Sequence, residues 1–498
     1  MQAEIVTNNL SKTINFDGTE SDLFKQAGEL IPNLPVPNYM DITVIGYTGY
    51  TAGFRLLKRG TFSCDGTRDA DAQKPAVHIS GQYNNIPYGV LKRSSYPEAE
   101  LRCVNPGSGK YGNYKRYHLF PKNNTGELEC GYNGIQEESL RMVQGYYPLW
   151  LYWPLYFEKI QKGYVDVTDL IYGKVRKHLN KKTTVSSIAA KTDTRRHPDN
   201  EELYNRLMQA AHQTVKNTLV SPVTEKQVQS AKAEFVSLCK MKSVKGFNRH
   251  LAMLMALSPR KRDPLGDDVN DMFAKEADDF ADIIKREENL LQAMEGSVLG
   301  SSKPVNTDRK SFYDYDIHVW KATDEQRKKV LEHIEPSFRS RVVNIWRVKP
   351  EKQEQKMRAY AKKHGIKKFK LLWHGSHTAS WAAIIINSLD MNYTHEHGTM
   401  LGAANYTAPS FAKSFNYTDT HGTTWAHGTA KTGFLGLFTC AYGNPWYVTN
   451  TRSYSKDEVE RSGHNCVHAT KANTWLRADE VAFYDNDAVC LSYIVEVA

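Results

Sequence analysis

Between residues 200 and 297 the apolar side chains repeat with a helical period, and on either side of that stretch they do not. Leu203, Leu207, Ala211, Val215 and Leu219 stand four residues apart, which puts them along one helix face. Ser221-Pro222 and Thr224-Glu225-Lys226-Gln227 follow as a helix start, with Gln227 in the capping-box position. Phe247, Leu251, Leu254 and Met255 mark a third helix, and Val269, Met272, Phe273, Phe280, Ile283, Ile284, Leu290, Leu291 and Met294 a long fourth. Four amphipathic helices with short breaks predict a small bundle, in which Met253, Met255 and Met294 fill core space. A chain of 498 residues holds about three or four domains, so this block must sit among others. With 40% apolar and 24% charged residues the whole is expected to be globular rather than disordered.

Upstream the pattern is that of β-structure. Residues 1–100 are rich in Gly, Thr, Asn and Tyr, with short apolar runs such as Ile42-Thr43-Val44-Ile45, and carry no recognisable chemistry. In 101–172, Tyr117-His118-Leu119-Phe120 and Leu128 to Tyr132 flank Asn123-Asn124-Thr125-Gly126, a hairpin turn rich in residues that tolerate positive φ. An aromatic segment, Tyr146 to Ile160, reads as a small core. Residues 173–199 form a basic linker containing Lys174, Arg176, Lys177, Lys181, Lys182, Arg195 and Arg196. The net charge of +10 favours a polyanionic partner such as DNA without requiring one. Seven dispersed cysteines (64, 103, 130, 239, 440, 466 and 490) include no C-x-x-C pair, so neither a zinc finger nor a disulfide framework is expected. Met1-Gln2-Ala3-Glu4 does not open a secretory signal, and no apolar run reaches about eighteen residues. The chain therefore reads as intracellular and soluble, in nucleus or cytoplasm, with no membrane partner.

The chemistry gathers after residue 301. Val342 to Val348 and Lys370 to Trp373 read as strands flanking a charged helix over 352–363. The second strand runs into His374-Gly375-Ser376, where glycine lets a ligand approach the backbone and the polar neighbours supply hydrogen bonds. Alone, a histidine at a strand end is more often structural. Further on stand Gly402-Ala403-Ala404-Asn405-Tyr406-Thr407-Ala408, Lys413-Ser414-Phe415-Asn416-Tyr417, and Glu480 ahead of Val481-Ala482-Phe483-Tyr484. A carboxylate opening an apolar strand needs a partner or a function.

Taken in order, these segments resemble the catalytic domain of the poly(ADP-ribose) polymerases, within the diphtheria-toxin-like ADP-ribosyltransferases. Leu371-Leu372-Trp373-His374-Gly375-Ser376 is similar to the family's first motif, the stretch from Leu401 to Tyr417 to its second, and Asp479-Glu480-Val481-Ala482-Phe483-Tyr484-Asp485 to its last. Ala441-Tyr442-Gly443-Asn444 resembles the end of the intervening core strand. The resemblance implies an α+β multidomain chain. Its C-terminal transferase fold, over 301–498, would consist of two packed sheets, preceded by a helical bundle over 200–300 and a β-rich domain.

It also implies NAD as a consumed substrate, with no metal. His374, Tyr406 and Glu480 would be catalytic, while His374, Gly375, Ser376, Ser414, Tyr406 and Tyr417 would bind NAD. His374 would hold the adenosine-side ribose, and Gly375 with Ser414 the nicotinamide amide. Tyr406 and Tyr417 would sandwich the cationic ring, and Glu480 would stabilise the developing oxocarbenium charge. Acceptor proteins, the chain itself among them, would be the other partners.

Three positions depart from the family pattern. Ala403 stands where a lysine is common, Thr399 where a tyrosine is common, and Asp390 where a basic residue is frequent; the 389–398 loop is short. Polymer growth and NAD affinity, more than NAD cleavage, are what these changes touch, which leaves mono-ADP-ribosylation as an alternative, beside an inactive DNA-binding scaffold. Residues 113–168 resemble a WGR domain, although Tyr132-Asn133-Gly134 occupies the place of Trp-Gly-Arg. The helical block resembles, in shortened form, the regulatory domain of DNA-dependent family members.

Overall fold

The computed structural model describes residues 1–7, 11–19, 22–23, 25–26, 39–45, 51–57, 76–77, 86–87, 96–106, 113–170 (save 138, 144–146 and 169), 198–299 (save 263–267) and 311–498 (save 394, 396, 398 and 421–429). The basic linker lies outside the described residues up to its last two positions, as does Cys64. Two compact units are present, Met1–Lys182 with Met255–Asp271, and Thr183–Leu254 with Met272–Ala498. The helical stretch expected over 200–300 thus divides between them.

In the first unit β1 (Gln2–Thr7), β2 (Ser11–Asn15), β3 (Tyr39–Ile45) and β4 (Thr51–Leu57) form a four-stranded sheet in the order β2-β1-β3-β4. The short pair β5 (Ala76–Val77) and β6 (Ile86–Pro87) follows. A second sheet is built on β7 (Ala99–Asn105), β8 (Asn113–Lys122) and β9 (Glu127–Gly134), with β10 (Arg141–Met142), β11 (Tyr147–Pro148) and β12 (Val165–Asp166) at its margins. The expected hairpin is there, turning at Asn123–Gly126, with Gly126 at φ 76°. The aromatic segment becomes a helix, α1 (Tyr152–Gln161), whose Tyr152 and Leu155 join Leu101, Tyr117, Leu119 and Leu128 in one core.

The second unit begins with α2 (Pro198–Thr218), α3 (Glu225–Cys239) and most of α4 (Val244–Leu257), whose last turn is assigned to the first unit. Thr224 and Gln227 form the expected capping box of α3. The long fourth helix starts later than its apolar pattern suggests. Val269–Met272 is a 3₁₀ turn, and α5 runs from Phe280 to Leu299. Asp279 explains the break: its carboxylate accepts from the backbone N–H groups of Lys275 and Glu276 at 2.7 and 3.0 Å, fixing a helix start at that point. Helix α5 packs on both α2 and α3.

The remainder supplies two sheets. The five-stranded one runs β13 (Ile317–Lys321), β14 (Val342–Pro350), β21 (Val489–Val497), β17 (Gly433–Cys440), β15 (Lys370–Ser376). The four-stranded one runs β16 (Asn405–Thr407), β20 (Glu480–Phe483), β19 (Cys466–Ala469), β18 (Pro445–Val448). Helices α6 (Asp324–Glu332), α7 (Glu351–Lys363), α8 (Trp381–Asn387), α9 (Phe411–Phe415) and α10 (Lys456–Arg461) connect the strands. Strand β21 is buried along its whole length, its apolar residues interrupted only by Ser492 and Glu496. Leu203, Tyr204, Leu207 and Met208 of α2 belong to the same core as Phe312, Trp346, Trp381 and Phe434. Arg206 of α2 also pairs with the buried Glu496 of β21. This first helix of the bundle is therefore part of the transferase body. Among the described residues no helix is long and apolar enough to cross a membrane.

Candidate active site

The two sheets meet where β15 ends. Trp373 exchanges backbone hydrogen bonds with Ala408 at 2.7 and 2.8 Å, which joins the edge of the larger sheet to the chain leaving β16. One residue later, His374 Nδ1 donates to the Tyr406 carbonyl at 2.8 Å. Burial depresses the pKa of His374 to about 4, against the opposing pull of that hydrogen bond, so the ring is neutral at pH 7. A carbonyl only accepts, so Nδ1 carries the proton and Nε2 is left as an acceptor. Trp381, fully buried on α8, braces this corner by donating its indole N–H to the carbonyls of Ser376 and Phe434 at 3.3 and 3.1 Å.

Gly375 is required by space. A Cβ built there would lie 1.9 Å from the Ser414 carbonyl oxygen and 3.2 Å from the Tyr417 Cβ. The absence of a side chain lets α9 press against the strand and brings Ser414 and Tyr417 to its edge. Ser410 caps α9, accepting from the Lys413 N–H at 3.2 Å.

Register places the tyrosine and the glutamate together. Tyr406 of β16 lies directly opposite Ala482 of β20, and Glu480 is two residues before Ala482. Side chains two apart on a strand share a face, so Tyr406 and Glu480 point the same way. The Tyr406 hydroxyl is tied down, donating to the Gly402 carbonyl at 2.9 Å and accepting from the Leu401 N–H at 2.8 Å. Gly402, at φ 87°, makes that turn possible; a Cβ would sit 2.6 Å from Ser453 Oγ. Burial raises the pKa of Tyr406, as it does that of Tyr417, to which the charge of Glu480 adds. Both phenols stay neutral and act as rings.

Glu480 has two unlike oxygens. Oε1 pairs with the Lys413 ammonium, whose pKa burial lowers against the pull of this carboxylate. Oε2 is buried and has no hydrogen-bond partner among the described residues. An unmet acceptor of this kind is costly unless a ligand meets it.

His374, Gly375, Tyr406, Ser414, Tyr417 and Glu480 all line one cavity of about 340 Å³. Ser376 does not; it is buried beside the site, and its carbonyl serves Trp381. The cavity also has walls that the sequence did not announce: Lys285, Glu288 and Glu295 of α5, and His395 and His397 of the loop between α8 and β16. On α5 the Lys285–Glu288 spacing reads as an ordinary surface pair, and the histidines fall in a loop without periodicity. Only the packing of α5 along the cavity reveals them. Asp390 and Glu295 are both bound by Lys232 of α3, at 2.6 and 3.4 Å, and Glu295 also accepts from Tyr393 and Asn387 at 2.7 and 3.1 Å.

Residues 318–483 match the family model of the poly(ADP-ribose) polymerase catalytic domain. This domain is an NAD+ ADP-ribosyltransferase. The match covers about a third of the 498 residues and includes the cavity-lining segments from β15 to β20. No curated protein matches the chain. NAD is the substrate that a domain of this family uses.

Proposed function

We propose that the chain transfers ADP-ribose from NAD to protein acceptors, itself included, that it extends the product into a polymer, and that DNA breaks stimulate it. The observation that carries the chemistry is the buried, unpartnered Oε2 of Glu480 beside two tyrosine rings and a neutral histidine. The flat nicotinamide ring lies against Tyr417 and Tyr406, where an aromatic face favours a cation. Gly375 offers its backbone to the amide, Ser414 adds a hydroxyl, and His374 Nε2 accepts from the adenosine-side ribose. Ser376 supports this arrangement through its backbone. As the nicotinamide–ribose bond breaks, positive charge grows on the ribose and the leaving group becomes neutral. Glu480 is placed to stabilise that charge and to accept a proton from the ribose 2′-OH or from the acceptor hydroxyl. Its fixed ion pair with Lys413 keeps the carboxylate oriented.

Polymer growth is supported by the His374, Tyr406, Glu480 set. A second reading, transfer of a single ADP-ribose, is favoured by one observation: Ala403 leaves the acceptor side of the second motif without a cation. The response to DNA is supported by α5, which walls the cavity, by the net charge of +10, and by the WGR-like segment over 113–168. Incubation with labelled NAD, with and without nicked DNA, tests each part. A ladder of labelled protein that grows with DNA is expected; a single band selects mono-transfer, and no label in any condition removes the proposal.

A further inference from the structure

NAD carries two negative charges on its diphosphate, and the residues treated so far account for its nicotinamide and ribose ends only. The ammonium groups lining the cavity among the described residues are those of Lys413 and Lys285, and both are taken. Lys413 is paired with Glu480, and Lys285 with Glu288 at 2.9 Å. Asp390, where the family resemblance would put a basic residue, is an anion held by Lys232. Building on the NAD-cleaving function above, we propose that His395 and His397 hold the diphosphate of NAD.

Both imidazoles line the cavity together with His374. His395 Nδ1 is buried and has no hydrogen-bond partner among the described residues, a donor position awaiting an acceptor once protonated. His397 packs its ring against Phe280 of α5, the two planes at 83° with centroids 5.3 Å apart. Burial lowers the proton affinity of His395 and the Glu288 carboxylate of α5 raises it, against Lys285, so a further anion in the cavity acts in the same direction as Glu288. A histidine that gains a proton on meeting a dianion forms a charge-assisted hydrogen bond without the standing cost of burying an ammonium.

The test separates the diphosphate from the rest of NAD. In the full-length protein under turnover, His395→Asn, His397→Gln and the double variant are compared with the parent. The measurements are the KM for NAD and the inhibition constants of ADP-ribose, which keeps the diphosphate, and of nicotinamide, which lacks it. The KM and the ADP-ribose constant are expected to rise together by about tenfold per lost charge-assisted bond, with the nicotinamide constant within about twofold of the parent. Values for NAD and ADP-ribose that stay within twofold in the double variant overturn the proposal and leave the transferase function standing. A parallel rise for nicotinamide also overturns it, because the whole site has then been disturbed. A parent that cleaves no NAD fails at the earlier step, and both readings fall with it.

Discussion

Glu480 is fixed through one oxygen and open through the other, and that asymmetry sets the clearest expectation at the scale of single residues. Glu480→Gln keeps the volume, weakens the hold on Lys413 and removes the negative charge from the oxygen facing the cavity. A fall in kcat of about 10²–10³-fold is expected, with a far smaller change in the KM for NAD, because the charge it opposes develops only as the bond breaks. Single-turnover release of labelled nicotinamide measures it; a kcat within threefold of the parent would remove Glu480 from the chemistry. Gly375→Ala acts by a different route, since its Cβ and the Ser414 carbonyl cannot share space. It should abolish binding of nicotinamide analogues, and calorimetric titration that finds parental affinity would show that the strand and α9 separate without cost. The sequence disclosed these residues because each lies in a motif with a recognisable local order. It did not disclose Lys285, Glu288, His395 or His397, whose place on the cavity wall depends on which face of α5 meets which loop. Ser376 is the converse case: its motif position makes it a candidate, yet at the end of β15 it is buried and does not line the cavity.

Elements behaved in the same divided way. Local signals are strong for α3, where a capping box fixes the start, and for the β8–β9 hairpin, where the turn residues fix the register. They fail at the fourth helix, whose apolar period continues upstream through Val269 and Met272 although Asp279 captures two backbone N–H groups and starts the helix afresh. No periodicity could show that α2 belongs to the transferase core. Its face carries Leu203, Leu207 and Ala211, and which partner buries them is decided by tertiary packing. The consequence is practical. Removing residues 200–300 to relieve a regulatory block should unfold the catalytic unit, because even Leu207→Ala is expected to cost about 2–5 kcal/mol there. Chemical denaturation of Leu207→Ala measures that cost, and a loss below about 1 kcal/mol would show that α2 is separable. The block itself is better tested at Lys232, which ties Asp390 of the cavity loop and Glu295 of α5 to α3. If α3 and α5 restrain the loop, Lys232→Ala should raise NAD turnover in the absence of DNA several-fold while leaving the melting temperature within a few degrees. Unchanged basal turnover would mean that this bridge is structural only.

Across the whole molecule the buried histidines share one sign. Burial lowers the pKa of His118, His333, His374, His395 and His468, the third of them to about 4. In the unfolded chain each returns to about 6.5. Between the folded and unfolded values the unfolded chain binds protons that the folded one refuses, so stability rises with pH across that window. The contribution is complete above about 6.5 and is lost as the pH falls toward about 4. His118 lies in the first unit and the other four in the second, so both units should weaken together. The carboxylates of Asp419, Asp485 and Glu496 are held low by their partners and are lost only at more acid pH, which keeps the two effects apart. Melting temperatures taken at intervals from pH 7.5 to 4.5 should therefore fall steadily below about pH 6.5. In His374→Gln, which cannot take up that proton, the fall should be shallower. A curve flat down to pH 5 in the parent would show that these rings charge freely in the folded state. The same neutrality matters for turnover, because a protonated His374 has no lone pair at Nε2 to offer the ribose. Activity should then begin to fail only as the pH approaches about 4, below the range in which stability starts to decline, and an acid limit near 6.5 in a still-folded protein would contradict the burial of His374.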